Sequence, residues 1–129
     1  MKSYNLFLDD VRSVIFIKKM IPNLHNLYDV NLPNILVKDY ISFKNCIDSN
    51  KLPNFVSFDH DLAPDHYNDP TMDYSNYKEK TGLTCAQYLL EYCVENKLKF
   101  PTYYIHSMNF VGKQNIEKLI TSYKKHFDI

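Results

Sequence analysis

Three clusters of polar residues, each at the end of an apolar run, contain the side chains best suited to chemistry. They are Asp9-Asp10, Asp59-His60-Asp61 and His106-Ser107-Met108-Asn109. A carboxylate buried without a partner costs free energy, and two that are buried close together cost more. Such acidic clusters are therefore typical of a site that binds a cation or transfers protons.

The carboxylates in these clusters suit a hard cation. Mg²⁺ or Mn²⁺ prefers oxygen ligands, and one or two carboxylates, waters and a substrate phosphate commonly complete its shell. We expect Asp9 or Asp10, together with Asp59, to bind it. Alternatively, some of these aspartates cap helices, since Asp10 and Asp61 both precede predicted helices or turns.

Two histidines, His60 and His106, lie in clusters that follow different strands. Imidazole exchanges a proton near neutral pH, so a pair flanking a phosphodiester would serve as acid and base. One of them would instead suit a transition metal. The simpler alternative for each is a hydrogen-bonded structural residue.

The third cluster offers groups that suit a phosphate. Ser107 and Asn109 are neutral donors, and the amino end of the last predicted helix favours an anion. Lys113 adds a charge that pairs with phosphate. The alternative for Ser107 is a helix or turn cap.

The apolar patterns predict strands and helices in the order β-α-β-α-β-loop-α-β-α. Strands are expected at 4–9, 34–38, 55–58 and 102–106, and helices after Ser13, after Asp39, from Thr81 to near Asn96 and after Gly112. This alternation implies a parallel sheet with right-handed crossovers and helices on both faces. Ligands of such sheets bind beyond the carboxyl ends of the strands, so the fold would gather all three clusters at one edge.

Some segments allow two interpretations. Val14-Ile15-Phe16-Ile17 has a helical spacing but also the β-branched content of a strand. Residues 27–30 suit a short strand or a simple connection. The last helix is expected to bury one apolar face, formed by Ile116, Leu119, Ile120, Tyr123 and Phe127.

The polar loop at 63–80 is long for a compact domain, which is typical of a functional or mobile segment. Its tyrosines would stack on a nucleobase or pack against the domain, and we favour packing; they are Tyr67, Tyr74 and Tyr77. Whether this loop closes over the site as a lid stays open.

The composition indicates one globular domain spanning residues 1–129. The formal net charge is 0, so overall charge does not indicate a nucleic-acid or membrane partner. No apolar run approaches the ~20 residues that cross a bilayer, and the start does not resemble a secretory signal. We therefore expect a cytoplasmic protein in which Cys46, Cys85 and Cys93 are buried thiols. A homodimer is allowed.

Four motifs resemble those of a known family. They are Leu6-Phe7-Leu8-Asp9-Asp10-Val11-Arg12, Ser57-Phe58-Asp59-His60-Asp61-Leu62, Thr81-Gly82 and His106-Ser107-Met108-Asn109. In this order, over nearly the whole chain, they resemble the cyclic-phosphate processing receiver-like domain, called cREC. The resemblance implies a receiver-like (flavodoxin-like) three-layer α/β sandwich, with a parallel sheet of four to five strands and an acidic, metal-binding pocket.

The resemblance also implies roles for individual residues. Asp9, Asp10 and Asp59 correspond to the metal-binding acidic cluster of a receiver, and Ser107 to its hydroxyl residue. Four further residues resemble the additions that distinguish cREC from a receiver that works as a phosphorylation switch. They are His60, Asp61, His106 and Asn109. The residues expected to contact the substrate are Arg12, Thr81, Ser107, Asn109 and Lys113.

On this resemblance we expect a phosphoesterase, dependent on Mg²⁺ or Mn²⁺, that opens a cyclic phosphate on a nucleotide or an RNA end. Its expected catalytic residues are Asp59, His60, Asp61 and His106. One alternative is a module that sequesters a cyclic nucleotide without cutting it, as a phage would use against a bacterial signal. Another is a receiver phosphorylated on Asp59, although no clear fifth strand ends in the lysine that signalling receivers use.

Overall fold

The computed structural model describes residues 3–62 and 81–129, and four parallel strands form its centre. The strands are β1 (Asn5–Leu8), β2 (Asn34–Val37), β3 (Phe55–Phe58) and β4 (Thr102–Ile105). Their order in the sheet is β2-β1-β3-β4, the order of a receiver-like, flavodoxin-like sheet. The register pairs Leu8 with Phe58 and Phe58 with Ile105, so the three strands end side by side.

The helices follow the strands in the expected alternation. They are α1 (Val14–Met20), α2 (Tyr40–Asn50), α3 (Gly82–Asn96) and α4 (Phe110–Phe127), with a short 3₁₀ turn at Leu24–Leu27. The segment after Ser13 is a helix because the Ser13 hydroxyl accepts a hydrogen bond from the Phe16 amide at 3.2 Å and caps it. The short strand considered for residues 27–30 is wrong, because that segment holds the end of the 3₁₀ turn and a connection.

The side chains of the strands alternate between two apolar layers. One face packs against α2, α3 and α4 through buried residues that include Leu6, Leu8, Phe43, Val56, Phe58, Leu89, Ile105, Ile116 and Ile120. The other face packs against α1 and the 3₁₀ turn through Phe7, Ile17, Leu24, Tyr28 and Phe55. Helices therefore cover both faces, which confirms the three-layer α/β architecture.

The last helix differs from the sequence expectation at both ends. It begins at Phe110 rather than after Gly112, because the Asn109 side chain caps it and its Oδ1 accepts from the Gly112 amide at 2.9 Å. Gly112 thus lies inside the first turn. At the other end Phe127 is 44 % exposed and contacts the Tyr123 ring instead of the core.

The remaining expectations have mixed outcomes. All three cysteines are buried and free, as predicted. Within residues 3–62 and 81–129 no helix is long and apolar enough to cross a membrane. The 63–80 loop and its tyrosines lie outside the described residues, so the loop's role stays a prediction. The single-domain, cytoplasmic and homodimer assignments also stay predictions.

Candidate metal centre

Three strand ends place Asp9, Asp59 and His106 next to one another. Each residue continues the backbone ladder one step beyond its strand. The Asp59 amide donates to the Leu8 carbonyl at 3.0 Å, and the His106 amide donates to the Phe58 carbonyl at 2.9 Å. The parallel register therefore gathers side chains from distant parts of the chain.

These three side chains form a compact group that could hold a cation. Each offers one ligand atom, and the three atoms lie within 4.8 Å of one another. All three residues are buried. Asp10 is not part of this group, although its charge helps to raise the pKa of Asp59. A role for Asp10 as a metal ligand stays a prediction.

Asp9 is held by several hydrogen bonds. Its Oδ1 accepts from the amides of Val11 and Arg12 at 3.0 and 2.8 Å. Its Oδ2 lies 2.9 Å from His106 Nε2 and 3.0 Å from an Arg12 guanidinium nitrogen. Burial raises the pKa of Asp9, but these hydrogen bonds outweigh that effect and lower the pKa to about 2. Asp9 is therefore ionised at neutral pH.

Asp59 has a different environment, although it lies beside Asp9. Its Oδ1 accepts from the His60 amide at 2.8 Å. Its Oδ2 is buried and makes no hydrogen bond within the described residues, and an Arg12 nitrogen lies 3.8 Å away. Burial, and then the negative charge of Asp9, raise the pKa of Asp59 to about 7. An orphaned carboxylate oxygen beside a second carboxylate is the donor set that a hard cation prefers.

His106 is fixed at both ring nitrogens. Its Nδ1 lies 2.6 Å from the Ser57 hydroxyl, and its Nε2 lies 2.9 Å from Asp9. Because ionised Asp9 only accepts hydrogen bonds, Nε2 must carry a proton. His106 therefore orients Asp9 in this arrangement, in the way that histidine–carboxylate pairs orient metal ligands.

Ser57 is a residue that the sequence reasoning missed. It is fully buried, and it is the one polar residue of β3. A hydroxyl inside an otherwise apolar strand is the signal that could have identified it, because a buried polar group needs a partner. The alternation of side chains along β3 could also have shown on which face of the sheet Ser57 lies.

The buried residues His60 and Asp61 form a second group with the half-buried Asn109, which connects the end of β3 to the start of α4. His60 Nδ1 lies 2.8 Å from an Asp61 carboxylate oxygen. The Asn109 side-chain amide donates to the same carboxylate at 3.2 and 3.3 Å. Since Asn109 also caps α4, this group fixes the position of that helix relative to the strand. Whether Asp61 also caps a helix or turn, the alternative considered above, stays a prediction, because the segment that follows Leu62 lies outside the described residues.

The two glycines of the chain make room for this strand end. A Cβ atom at Gly82 would lie 1.8 Å from the Asp59 carbonyl oxygen. A Cβ atom at Gly112 would lie 2.3 Å from Cγ of the His60 ring. The first turn of α3 thus lies close to the backbone of Asp59, and the first turn of α4 lies close to the His60 ring. A side chain at Gly82 or Gly112 would prevent these approaches.

The expected substrate-binding residues lie around this edge. Arg12 contacts both acids, and Thr81 is buried at the start of α3. The Ser107 hydroxyl accepts from the Asn109 amide at 3.0 Å, so it supports a turn. Lys113 Nζ lies over the Tyr104 ring, 5.7 Å from its centroid.

Comparison with known proteins agrees with this geometry. The family model of the cyclic-phosphate processing receiver domain matches residues 4–122, which is nearly the whole chain. No curated protein and no solved structure matches the chain significantly. The protein therefore belongs to the family of cyclic-phosphate processing receiver domains.

Proposed function

We propose that this protein is a metal-dependent phosphoesterase that opens a cyclic phosphate, on a cyclic nucleotide or a 2′,3′-cyclic-phosphate RNA end. The observation that supports this most is the orphaned, buried oxygen of Asp59 facing a second acid. The cost of that arrangement is removed when a cation binds. The family supports the substrate class, because its description names the processing of cyclic phosphates.

Asp9 and Asp59 would hold the metal, with Asp10 as a further expected ligand. Oxygen ligands favour Mg²⁺ or Mn²⁺. When bound, such an ion polarises a phosphoryl oxygen and lowers the pKa of a water molecule.

The protein's own side chains would keep the acids in place. His106 donates from Nε2 to Asp9, and Ser57 fixes the other side of that ring. Proton transfer by His60 or His106 stays a prediction, and for His106 it requires a ring nitrogen to exchange its present partner for the substrate. Asp61 would act through His60, whose Nδ1 it contacts.

The substrate phosphate would lie between the ends of β1 and β4. Ser107, which directly follows His106, offers a hydroxyl donor there. Asn109 at the amino end of α4 would donate to the phosphate by exchanging its present partner, Asp61 or Ser107. Arg12 and Thr81 are proposed to contact the substrate from the other elements at this edge. Lys113 would need to leave the Tyr104 ring to reach a phosphate oxygen.

The test is a turnover assay with Mg²⁺ or Mn²⁺ on a panel of cyclic nucleotides and 2′,3′-cyclic-phosphate ends. The wild-type protein should form linear phosphomonoester product only with metal. Asp59→Asn should lower the rate at least ~100-fold, because it removes a charged ligand of the ion. Asp128→Asn is the matched control, since its side chain is fully exposed, and it should keep the wild-type rate.

Other outcomes would support the alternatives. Tight binding of a cyclic nucleotide without product would favour the sequestering module. Stable labelling of Asp59 by acetyl phosphate, without turnover of any cyclic phosphate, would favour a receiver. Full turnover by Asp59→Asn would refute the proposed metal site.

A further inference from the structure

The single arginine of the chain, Arg12, lies beside Asp9 and Asp59, where its positive charge would repel a bound metal ion. Arg12 is the only arginine among 15 basic residues. One of its guanidinium nitrogens lies 3.0 Å from Asp9 Oδ2 and 3.8 Å from Asp59 Oδ2. Both oxygens belong to the acids that would hold the ion. The guanidinium therefore partly neutralises the acid pair.

Arg12 and a divalent ion compete for these oxygens. A Mg²⁺ ion binds carboxylate oxygen at about 2.1 Å, so an ion on Asp9 Oδ2 would lie no more than about 5 Å from the Arg12 nitrogen. Like charges at this distance, in a site where both acids are buried, repel strongly. The Arg12 side chain is 22 % exposed, which leaves it a route towards solvent.

We propose that Arg12 acts as an internal counter-ion, which occupies the Asp9–Asp59 pair in the metal-free protein and leaves it when a divalent ion binds. Arg12 thereby sets the metal affinity of the site. Once displaced, the same guanidinium is available to a phosphate oxygen, so that metal binding prepares the phosphate site. This inference rests on the metal site of the proposed function.

The first test measures Mn²⁺ affinity by titration calorimetry in the absence of any substrate. Arg12→Gln should bind Mn²⁺ about tenfold more tightly than the wild type, because the competing charge is gone. Arg12→Lys keeps the charge on a shorter side chain and should give an intermediate affinity. If Arg12→Gln does not fold, the Mn²⁺ affinity of Arg12→Lys still tests the proposal.

A matched control separates competition at the site from a change in net charge. Lys19→Gln removes the same charge from an exposed position of α1. Its affinity for Mn²⁺ should change less than about twofold, since exposed charges are screened by solvent and salt. Equal tightening in Lys19→Gln and Arg12→Gln would overturn the inference.

The second test follows Arg12 directly. Because the chain has one arginine, protein labelled with ¹⁵N-arginine gives one side-chain Nε–Hε signal in an NMR spectrum. Added Mg²⁺ should move this signal in the wild type and leave it in place in Asp59→Asn.

Three results contradict the proposal. In the NMR test, it is an Arg12 signal that stays fixed while Mg²⁺ binds. In the calorimetry, it is a Mn²⁺ affinity of Arg12→Gln that equals or falls below that of the wild type, or no metal binding by the wild type and Arg12→Gln. Neither test contains substrate. Absent turnover therefore bears on the proposed function and not on Arg12.

Discussion

At the scale of single residues, the surroundings of Asp59 disfavour the negative charge of its carboxylate. Its neighbour Asp9 keeps its charge because several hydrogen bonds reach it, whereas Asp59 Oδ2 receives none from the part of the chain that the structure describes. Identical side chains at adjacent strand ends thus have pKa values near 2 and near 7. The contrast arises because burial and the negative charge of Asp9 raise the pKa of Asp59, whereas hydrogen bonds lower that of Asp9.

The raised pKa of Asp59 predicts how the stability of the metal-free protein depends on pH. The folded state holds this proton more tightly than the unfolded chain, whose carboxyl has a pKa near 3.8. The stability associated with the proton is therefore fully present below pH 3.8 and is lost as the pH rises to about 7. Asp59→Asn removes this dependence.

The measurement is urea unfolding of the wild type and Asp59→Asn in a chelator, across this pH range. The two proteins should have similar unfolding free energies near pH 4, and the variant should be more stable by on the order of 2 kcal/mol near pH 8. A wild type that becomes relatively more stable with rising pH would show that the fold stabilises the Asp59 charge.

At the scale of elements, two helix starts are fitted against the end of β3. The amide of Gly82 donates to the His60 carbonyl at 2.8 Å, which brings α3 onto the strand end. The Asn109 cap and the Asp61 carboxylate bring α4 to the same place. The absence of a side chain at Gly82 and Gly112 makes both approaches possible.

Substitution of either glycine by alanine should therefore destabilise the protein. In an exposed helix this change stabilises by about 1 kcal/mol, so the sign of the effect is itself informative. We expect Gly82→Ala and Gly112→Ala each to lower the unfolding free energy by about 1–3 kcal/mol, because Cβ would overlap the Asp59 backbone or the His60 ring.

The glycine comparison uses thermal and urea unfolding. Gln114→Ala, at an exposed position in α4, is the matched control and should change the stability by less than about 0.5 kcal/mol. Gly82→Ala should lower the stability more than Gly112→Ala. The new methyl group at position 82 would overlap backbone atoms of Asp59, whereas the one at position 112 would overlap the His60 ring, which can shift. An increase in stability for either glycine variant would contradict the packing described here.

At the scale of the whole molecule, the candidate centre connects parts of the chain that are far apart in sequence. Asp9 and His106 are separated by 97 residues, and Ser57 and His106 by 49. Because the three strands meet only in the folded sheet, the unfolded chain presents no such site. A bound ion should therefore stabilise the folded protein as a whole.

The corresponding prediction concerns thermal unfolding. Mg²⁺ or Mn²⁺ at about 100 times its dissociation constant should stabilise the wild type by about 2.7 kcal/mol and raise the midpoint temperature. A chelator should reverse the increase, and Asp59→Asn should show little of it. A midpoint that responds equally in both proteins would place the stabilising ion elsewhere.

The amino-acid sequence by itself determined the order of strands and helices in residues 3–62 and 81–129, the parallel sheet and the edge at which the candidate site lies. These features follow from local patterns. A short apolar run that ends in acids, as in Leu6-Phe7-Leu8-Asp9, marks a buried strand and its polar end within a few residues. The family motifs were equally readable, because each is a short continuous segment.

Only the tertiary structure decided which atoms meet. It placed Ser57 against His106 and Arg12 on the acid pair, and it made Gly82 and Gly112 necessary for the approach of two helices. These contacts depend on side-chain direction and on register between distant strands, which no local pattern specifies. For the same reason, the different pKa values of Asp9 and Asp59 follow from the folded arrangement and not from residue type.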